Sequence, residues 1–98
     1  MKKINITITG ALGRMGRVLI KKISKNKKLK LLSLTDVKSG KIIDGVKIQN
    51  NNLEAFKKTD VIIDFSNPKA TIEILNYAKK LKKKLLLAQL ALQKNKVI

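Results

Sequence analysis

An α/β fold, a parallel sheet wrapped by helices, is what this sequence predicts, and three observations carry it. Strand-like and helix-like segments alternate along the chain, one apolar run is continuous enough for a strand covered on both faces, and a glycine-rich loop joins the first strand to the first helix. At 98 residues there is room for one domain and no more.

The elements follow in order. Ile4, Ile6 and Ile8 alternate with polar residues in a first strand that stops at Gly10. From Gly13 to about Lys25, the apolar positions Met15, Val18, Leu19 and Ile23 are expected on one helical face, with Lys21, Lys22 and Lys25 on the other. The helix ends in Lys25-Asn26-Lys27-Lys28, and Leu29 to Thr35 reads as a second strand closing at Asp36. Ser39-Gly40 and Asp44-Gly45 mark turns around Ile42-Ile43 and Val46 to Ile48. Asn50-Asn51-Asn52 offers caps for a short helix over Leu53 to Lys58. Val61, Ile62, Ile63 and Phe65 form the buried strand; Ser66 or Asn67 then caps a helix with Pro68 at its first position, where a missing N–H costs nothing. Ile74, Leu75, Ala78 and Leu81 give that helix its apolar face, and Leu85 to Leu87 is a last strand.

Composition removes several classes of function. Basic residues number 23 against 6 acidic, a net charge of +17, which ordinarily raises nucleic acid or an anionic membrane as partner. Only Arg14 and Arg17 are arginines; the lysines come with many Ile and Asn, the residues of AT-rich codons, so a drifting base composition explains the charge. Aromatic residues for base stacking reduce to Phe56, Phe65 and Tyr77, and no nucleic-acid partner is expected. No apolar run approaches the roughly 18 residues of a membrane span, and Met1-Lys2-Lys3 leads into a strand rather than a signal peptide. With neither Cys nor His, disulfides, thiolate metal sites, Cys nucleophiles and the commonest general acid are excluded. No catalytic residue and no metal site are expected.

The most informative stretch is Gly10-Ala11-Leu12-Gly13-Arg14-Met15-Gly16. A glycine at the strand end permits a tight turn, the next lets the backbone approach a pyrophosphate, and the last lets the helix pack near the strand. Exposed N–H groups and the positive end of the helix dipole then hold the anion. The spacing is G-x-x-G-x-x-G rather than the commoner G-x-G-x-x-G, so position between strand and helix is what gives it weight; a plain turn without ligand is the alternative. Asp36, at the end of the second strand, stands where a dinucleotide fold puts the carboxylate that accepts hydrogen bonds from an adenosine ribose, or is a simple turn residue. That carboxylate disfavours a 2′-phosphate while Lys38 softens the preference, leaving NAD and NADP both open. Arg14 lies either beside the phosphates or in solvent.

Thr9 to Arg17, followed by Val61-Ile62-Ile63-Asp64-Phe65-Ser66-Asn67-Pro68 and Ala70-Thr71, resembles the amino-terminal domain of the 4-hydroxy-tetrahydrodipicolinate (dihydrodipicolinate) reductase family over roughly residues 3 to 87. The resemblance implies a Rossmann-like parallel sheet with flanking helices, here incomplete. It also implies a cytoplasmic, homotetrameric enzyme that reduces 4-hydroxy-tetrahydrodipicolinate with NADH or NADPH on the diaminopimelate route to lysine. By position, Gly10, Ala11, Leu12, Gly13, Arg14 and Met15 would hold the cofactor diphosphate and Asp36 the adenosine ribose. Phe65 would border the nicotinamide side or serve only as core.

Two departures accompany the match. Where the family carries Gly-Thr-Thr-Gly after its last matched strand, this chain has Ala88-Gln89-Leu90-Ala91, and the family's substrate-binding and tetramerisation domain, with its histidine pair, has no counterpart before Ile98. Residues 1–87 are therefore expected to be an NAD(P)-binding domain and 88–98 a divergent tail. If Ala88 to Leu92 were encoded GCA CAA CTG GCT TTA, reading from the third base would give Thr-Thr-Gly-Phe, so a small deletion that shifted the frame is the expected origin of the tail. The expected activity is that of the reductase family, with this chain inactive alone. A non-catalytic dinucleotide-binding module is the alternative.

Overall fold

The computed structural model describes residues 2–88. Six strands and three helices follow in the order β1 (Ile4–Thr9), α1 (Arg14–Lys25), β2 (Leu29–Thr35), β3 (Ile42–Ile43), β4 (Val46–Gln49), α2 (Leu53–Lys57), β5 (Val61–Asp64), α3 (Pro68–Leu81) and β6 (Lys84–Leu87). The strands form one sheet in the order β3-β4-β2-β1-β5-β6. All neighbours are parallel except β3 and β4, which the Asp44-Gly45 turn forces into an antiparallel hairpin. Both turn residues have positive φ, 48° and 80°, as the tight hairpin turn of this hand requires.

Side-chain alternation along the strands divides the core between the two faces of the sheet. Ile6 and Ile8 of β1, Leu34 of β2 and Ile63 of β5 pack with Ile20 and Ile23 of α1. On the opposite face Ile62 joins Ala55 and Phe56 of α2 and Ile74 and Ala78 of α3. Phe56 and Tyr77 tie those two helices together, their ring centroids 5.3 Å apart.

The second face carries a polar stripe. Thr7 and Thr9 of β1 and Ser33 and Thr35 of β2 are buried. The Thr7 and Ser33 hydroxyls lie 2.7 Å apart, and Ser33 Oγ donates to the Ala55 carbonyl at 2.6 Å, so that these two find partners across the sheet and up to α2, whereas the buried Thr35 hydroxyl has no partner among the described residues.

The helix ends follow their local chemistry. Asn52 Oδ1 accepts from the Ala55 N–H and Asn67 Oδ1 from the Ala70 N–H, with Pro68 opening α3. The carboxyl end of α3 is less ordinary: Lys82 takes a left-handed conformation (φ 56°), and the Lys83 N–H closes on the Ala78 carbonyl at 2.8 Å.

One expectation fails inside α1. Met15 and Val18, read as core-facing, are 49% and 51% exposed; the buried residues are Gly16, Ile20 and Ile23. The helix is rotated because its first turn must rest on the end of β1, and only Gly16 is small enough to face that contact. In α3, Leu75 likewise sits at the rim, 37% exposed, beside the buried Ile74 and Ala78. The tail expected over residues 88–98 lies, beyond Ala88, outside the described residues.

Candidate dinucleotide crevice

β1 is the centre of the sheet, with β2 and β4 added on one side and β5 and β6 on the other. The chain therefore reverses its direction of winding at β1, and the loops leaving the carboxyl ends of β1 and β5 diverge to open a crevice, the usual ligand position in such sheets. A cleft of about 490 Å³ lies there. Asp36, Val37, Lys38 and Asn51 line its β2 side, Gly10, Leu12 and Gly13 its middle, and Phe65, Ser66, Asn67 and Ala70 its β5 side.

The glycine loop is built to bring three pieces of backbone together. Gly10 has φ +66°, and a Cβ there would lie 2.7 Å from the Phe65 carbonyl group and 2.8 Å from the Ser66 N. A Cβ on Gly16 would lie 2.8 Å from the Gly10 oxygen. Gly13 is different: its added Cβ would meet only the Gly10 oxygen, at 3.4 Å, and its own surface faces the cleft.

The loop amides fall into two groups. The Ala11 N–H donates to the Thr35 carbonyl at 3.1 Å, the Leu12 N–H to Asp36 Oδ2 at 2.9 Å and the Gly13 N–H to the Gly10 carbonyl at 3.1 Å. These three hold the loop to β2 and to itself. The Arg17 N–H begins the helical ladder on the Gly13 carbonyl. Between them the N–H groups of Arg14, Met15 and Gly16 have no partner among the described residues. Gly13, the N-cap, has no side chain to satisfy them, and the first turn of α1 carries no acidic residue. An anion would complete this end of the helix.

Of the residues singled out in the sequence, Gly10, Leu12, Gly13 and Asp36 line the cleft; Ala11 is fully buried against the core, and the Arg14 and Met15 side chains are exposed outside it. Asp36 is half-buried, its Oδ1 receiving the Val37 N–H at 2.7 Å and its Oδ2 the Leu12 N–H, so the carboxylate is held at the crevice edge. Sequence reasoning missed two groups. Asn51 Oδ1, on the β2 side, is buried with no hydrogen-bond donor among the described residues. Asp64, 2% exposed at the end of β5, accepts from Thr9, Ser66 and Thr71 beneath the β5 side. The signal for Asp64 was present: one acid closing an otherwise apolar strand.

The model of the family described as dihydrodipicolinate reductase, N-terminus, matches residues 4–96. This chain belongs to that family. The 4-hydroxy-tetrahydrodipicolinate reductase of Pelagibacter ubique is 52% identical to it over 88 residues, covering 89% of this chain and 34% of the relative. That of Buchnera aphidicola from Cinara cedri is 44% identical, covering 87% of this chain and 36% of the relative. The chain thus spans about a third of the length of these dihydrodipicolinate reductases. Among solved structures, the dipicolinate-bound dihydrodipicolinate reductase of Paenisporosarcina sp. TG-14 superposes with a TM-score of 0.70 at 21% identity, over 85% of this chain and 36% of that one. Aspartate semialdehyde dehydrogenase II of Vibrio cholerae superposes at 0.65 with 15% identity, over 86% of this chain and 30% of that one. These two likenesses establish the Rossmann-like fold; the family rests on the sequence match. No helix among the described residues is long and apolar enough to cross a membrane, and no cluster of metal-ligating side chains occurs among them.

Proposed function

We propose that residues 1–87 form the dinucleotide-binding unit of a 4-hydroxy-tetrahydrodipicolinate reductase, taking NADH or NADPH in the crevice between β1 and β5. The observation that carries this reading is the set of unpartnered Arg14, Met15 and Gly16 N–H groups at an uncapped helix end beside the cleft. Two further features fit a dinucleotide. The Asp36 carboxylate offers acceptor lone pairs to a ribose diol, and the orphaned Asn51 Oδ1 on the same side suits an N–H or O–H donor of an adenosine. When bound, the cofactor supplies a hydride.

The chain's own residues bind and orient. The amides of α1 hold the diphosphate, and Gly13 leaves room for it to approach the backbone. Asp36 repels a 2′-phosphate, which favours NADH, while Lys38 on the same side narrows the margin. Phe65 and Ser66 form the wall against which the nicotinamide half rests. The substrate 4-hydroxy-tetrahydrodipicolinate, homotetrameric assembly and a cytoplasmic location complete the reading by family resemblance.

With no histidine in the sequence and no cationic side chain among the described residues lining the β5 side of the cleft, that wall carries no charged group to pair with a dicarboxylate. It is therefore proposed to bind cofactor without turnover, which also describes the alternative, a non-catalytic dinucleotide-binding module. Fluorescence titration with NADH and NADPH tests the common part: saturable binding, abolished by Gly13→Asp, is expected, and no binding by the wild type overturns both readings. Adding the family's substrate-binding half in trans then separates them. Restored reduction of 4-hydroxy-tetrahydrodipicolinate supports the reductase, and its absence with binding intact supports the module.

A further inference from the structure

Asp64 closes β5 with its carboxylate directed back under the crevice wall, 2% exposed. Its Oδ1 accepts the Thr9 hydroxyl at 2.6 Å, the Ser66 N–H at 2.8 Å and the Ser66 hydroxyl; its Oδ2 accepts the Thr71 hydroxyl. One side chain therefore ties the end of β1, the β5–α3 loop and the first turn of α3 to one point. The consequence for Ser66 is chemical. A hydroxyl has one proton, and a carboxylate accepts without donating. Ser66 spends its proton on Asp64 and, alone among the three hydroxyl residues on that carboxylate, it lines the cleft.

We infer that Asp64 is a positioning residue that makes Ser66 an obligate hydrogen-bond acceptor, facing an N–H or O–H donor on the nicotinamide-nucleoside half of a bound dinucleotide. This rests on the dinucleotide reading above. Asp36 lies on the β2 side and the free α1 amides in the middle, so the second nucleoside falls on the β5 side, against Phe65 and Ser66. That half of the cofactor carries two kinds of donor, the ribose hydroxyls and the carboxamide NH2. Ser66 favours either. It disfavours a carbonyl or phosphate oxygen, which would meet its lone pairs, and in this way it sets which edge of the nicotinamide turns toward the wall.

The test is binding of four ligands to the 98-residue chain and to its Ser66→Ala, Asp64→Asn and Asp64→Ala variants, with circular dichroism to show that each is folded. The ligands are NADH, ADP-ribose, ADP and reduced acetylpyridine adenine dinucleotide, whose acetyl group has no N–H to donate. Ser66→Ala is expected to weaken NADH by roughly three- to tenfold, the yield of one hydrogen bond, and to leave ADP unchanged. If ADP-ribose weakens equally, the donor is a ribose hydroxyl. If it does not, and the acetylpyridine analogue binds wild type and Ser66→Ala alike, the donor is the carboxamide. Asp64→Asn keeps Oδ1 for the Ser66 N–H and hydroxyl and turns its NH2 to Thr71, whose hydroxyl has the Asn67 carbonyl as a second acceptor, so it is expected to retain the discrimination, whereas Asp64→Ala, which frees the Ser66 proton, is expected to lose it. An NADH affinity unchanged by Ser66→Ala overturns the inference, as does an equal loss for ADP, which would mark a distorted loop. Failure of the wild type to bind any of the four overturns the dinucleotide reading instead.

Discussion

The Gly10 carbonyl oxygen lies so close to Gly16 that a Cβ on the latter would approach it to 2.8 Å. Strand end and helix start are in backbone contact, which is what brings the unpartnered α1 amides beside the crevice. Gly16→Ala must push α1 away from β1, and overpacking of this kind costs about 1–3 kcal/mol. Urea denaturation should show the midpoint falling with little change in slope.

Gly10 and Gly13 are expected to separate stability from binding. Gly10→Ala meets both a positive φ of 66° and the Phe65 carbonyl group at 2.7 Å. Together these cost about 3 kcal/mol, a large part of a small domain's stability. Gly13→Ala has φ −71° and one contact at 3.4 Å, so it costs about 1 kcal/mol as a poorer N-cap. Its added methyl stands where the diphosphate would lie. Thermal melts and NADH titration of both variants should show a large loss of melting temperature for Gly10→Ala, and a modest one with at least about tenfold weaker binding for Gly13→Ala.

Asp36→Ala removes the acceptor for the Leu12 N–H and, in the function proposed above, the carboxylate that would oppose a 2′-phosphate. NADH affinity should fall about tenfold while NADPH affinity falls less, so that the preference narrows or reverses with Lys38 still in place. Paired titrations with the two cofactors read this ratio directly. A ratio unchanged from wild type would remove Asp36 from cofactor selection.

Lys82 ends α3 at φ 56°, a conformation that costs a side-chain-bearing residue about 1–2 kcal/mol and glycine almost nothing. Lys82→Gly should stabilise the chain by about 0.5–1 kcal/mol after the greater unfolded-state entropy of glycine is counted. The measurement is a rise in melting temperature with unchanged NADH affinity.

The contrast among these positions shows how far the amino-acid order reads directly. Asn52 and Asn67 cap their helices, and Pro68 opens α3, because each satisfies or dispenses with backbone groups within three residues along the chain. The strands and the glycine loop were equally legible, since alternation and chain-reversing glycines are local signals. Lys82 was not, because no glycine marked the left-handed end of α3.

The order of elements, the loop between β1 and α1 and the acid closing β2 were determined by the sequence itself, through neighbours a few positions apart. Tertiary structure decided the rest. It turned Gly16, Ile20 and Ile23 inward in place of Met15 and Val18, because helical periodicity admits both faces and only contact with β1 chooses between them. It committed the Ala11, Leu12 and Gly13 amides to the protein and left those of Arg14, Met15 and Gly16 without partners. It joined Thr9 to Asp64, 55 positions away, at 2.6 Å. Hydrogen bonds across such separations depend on how strands are ordered in the sheet, and no local pattern of residues encodes them.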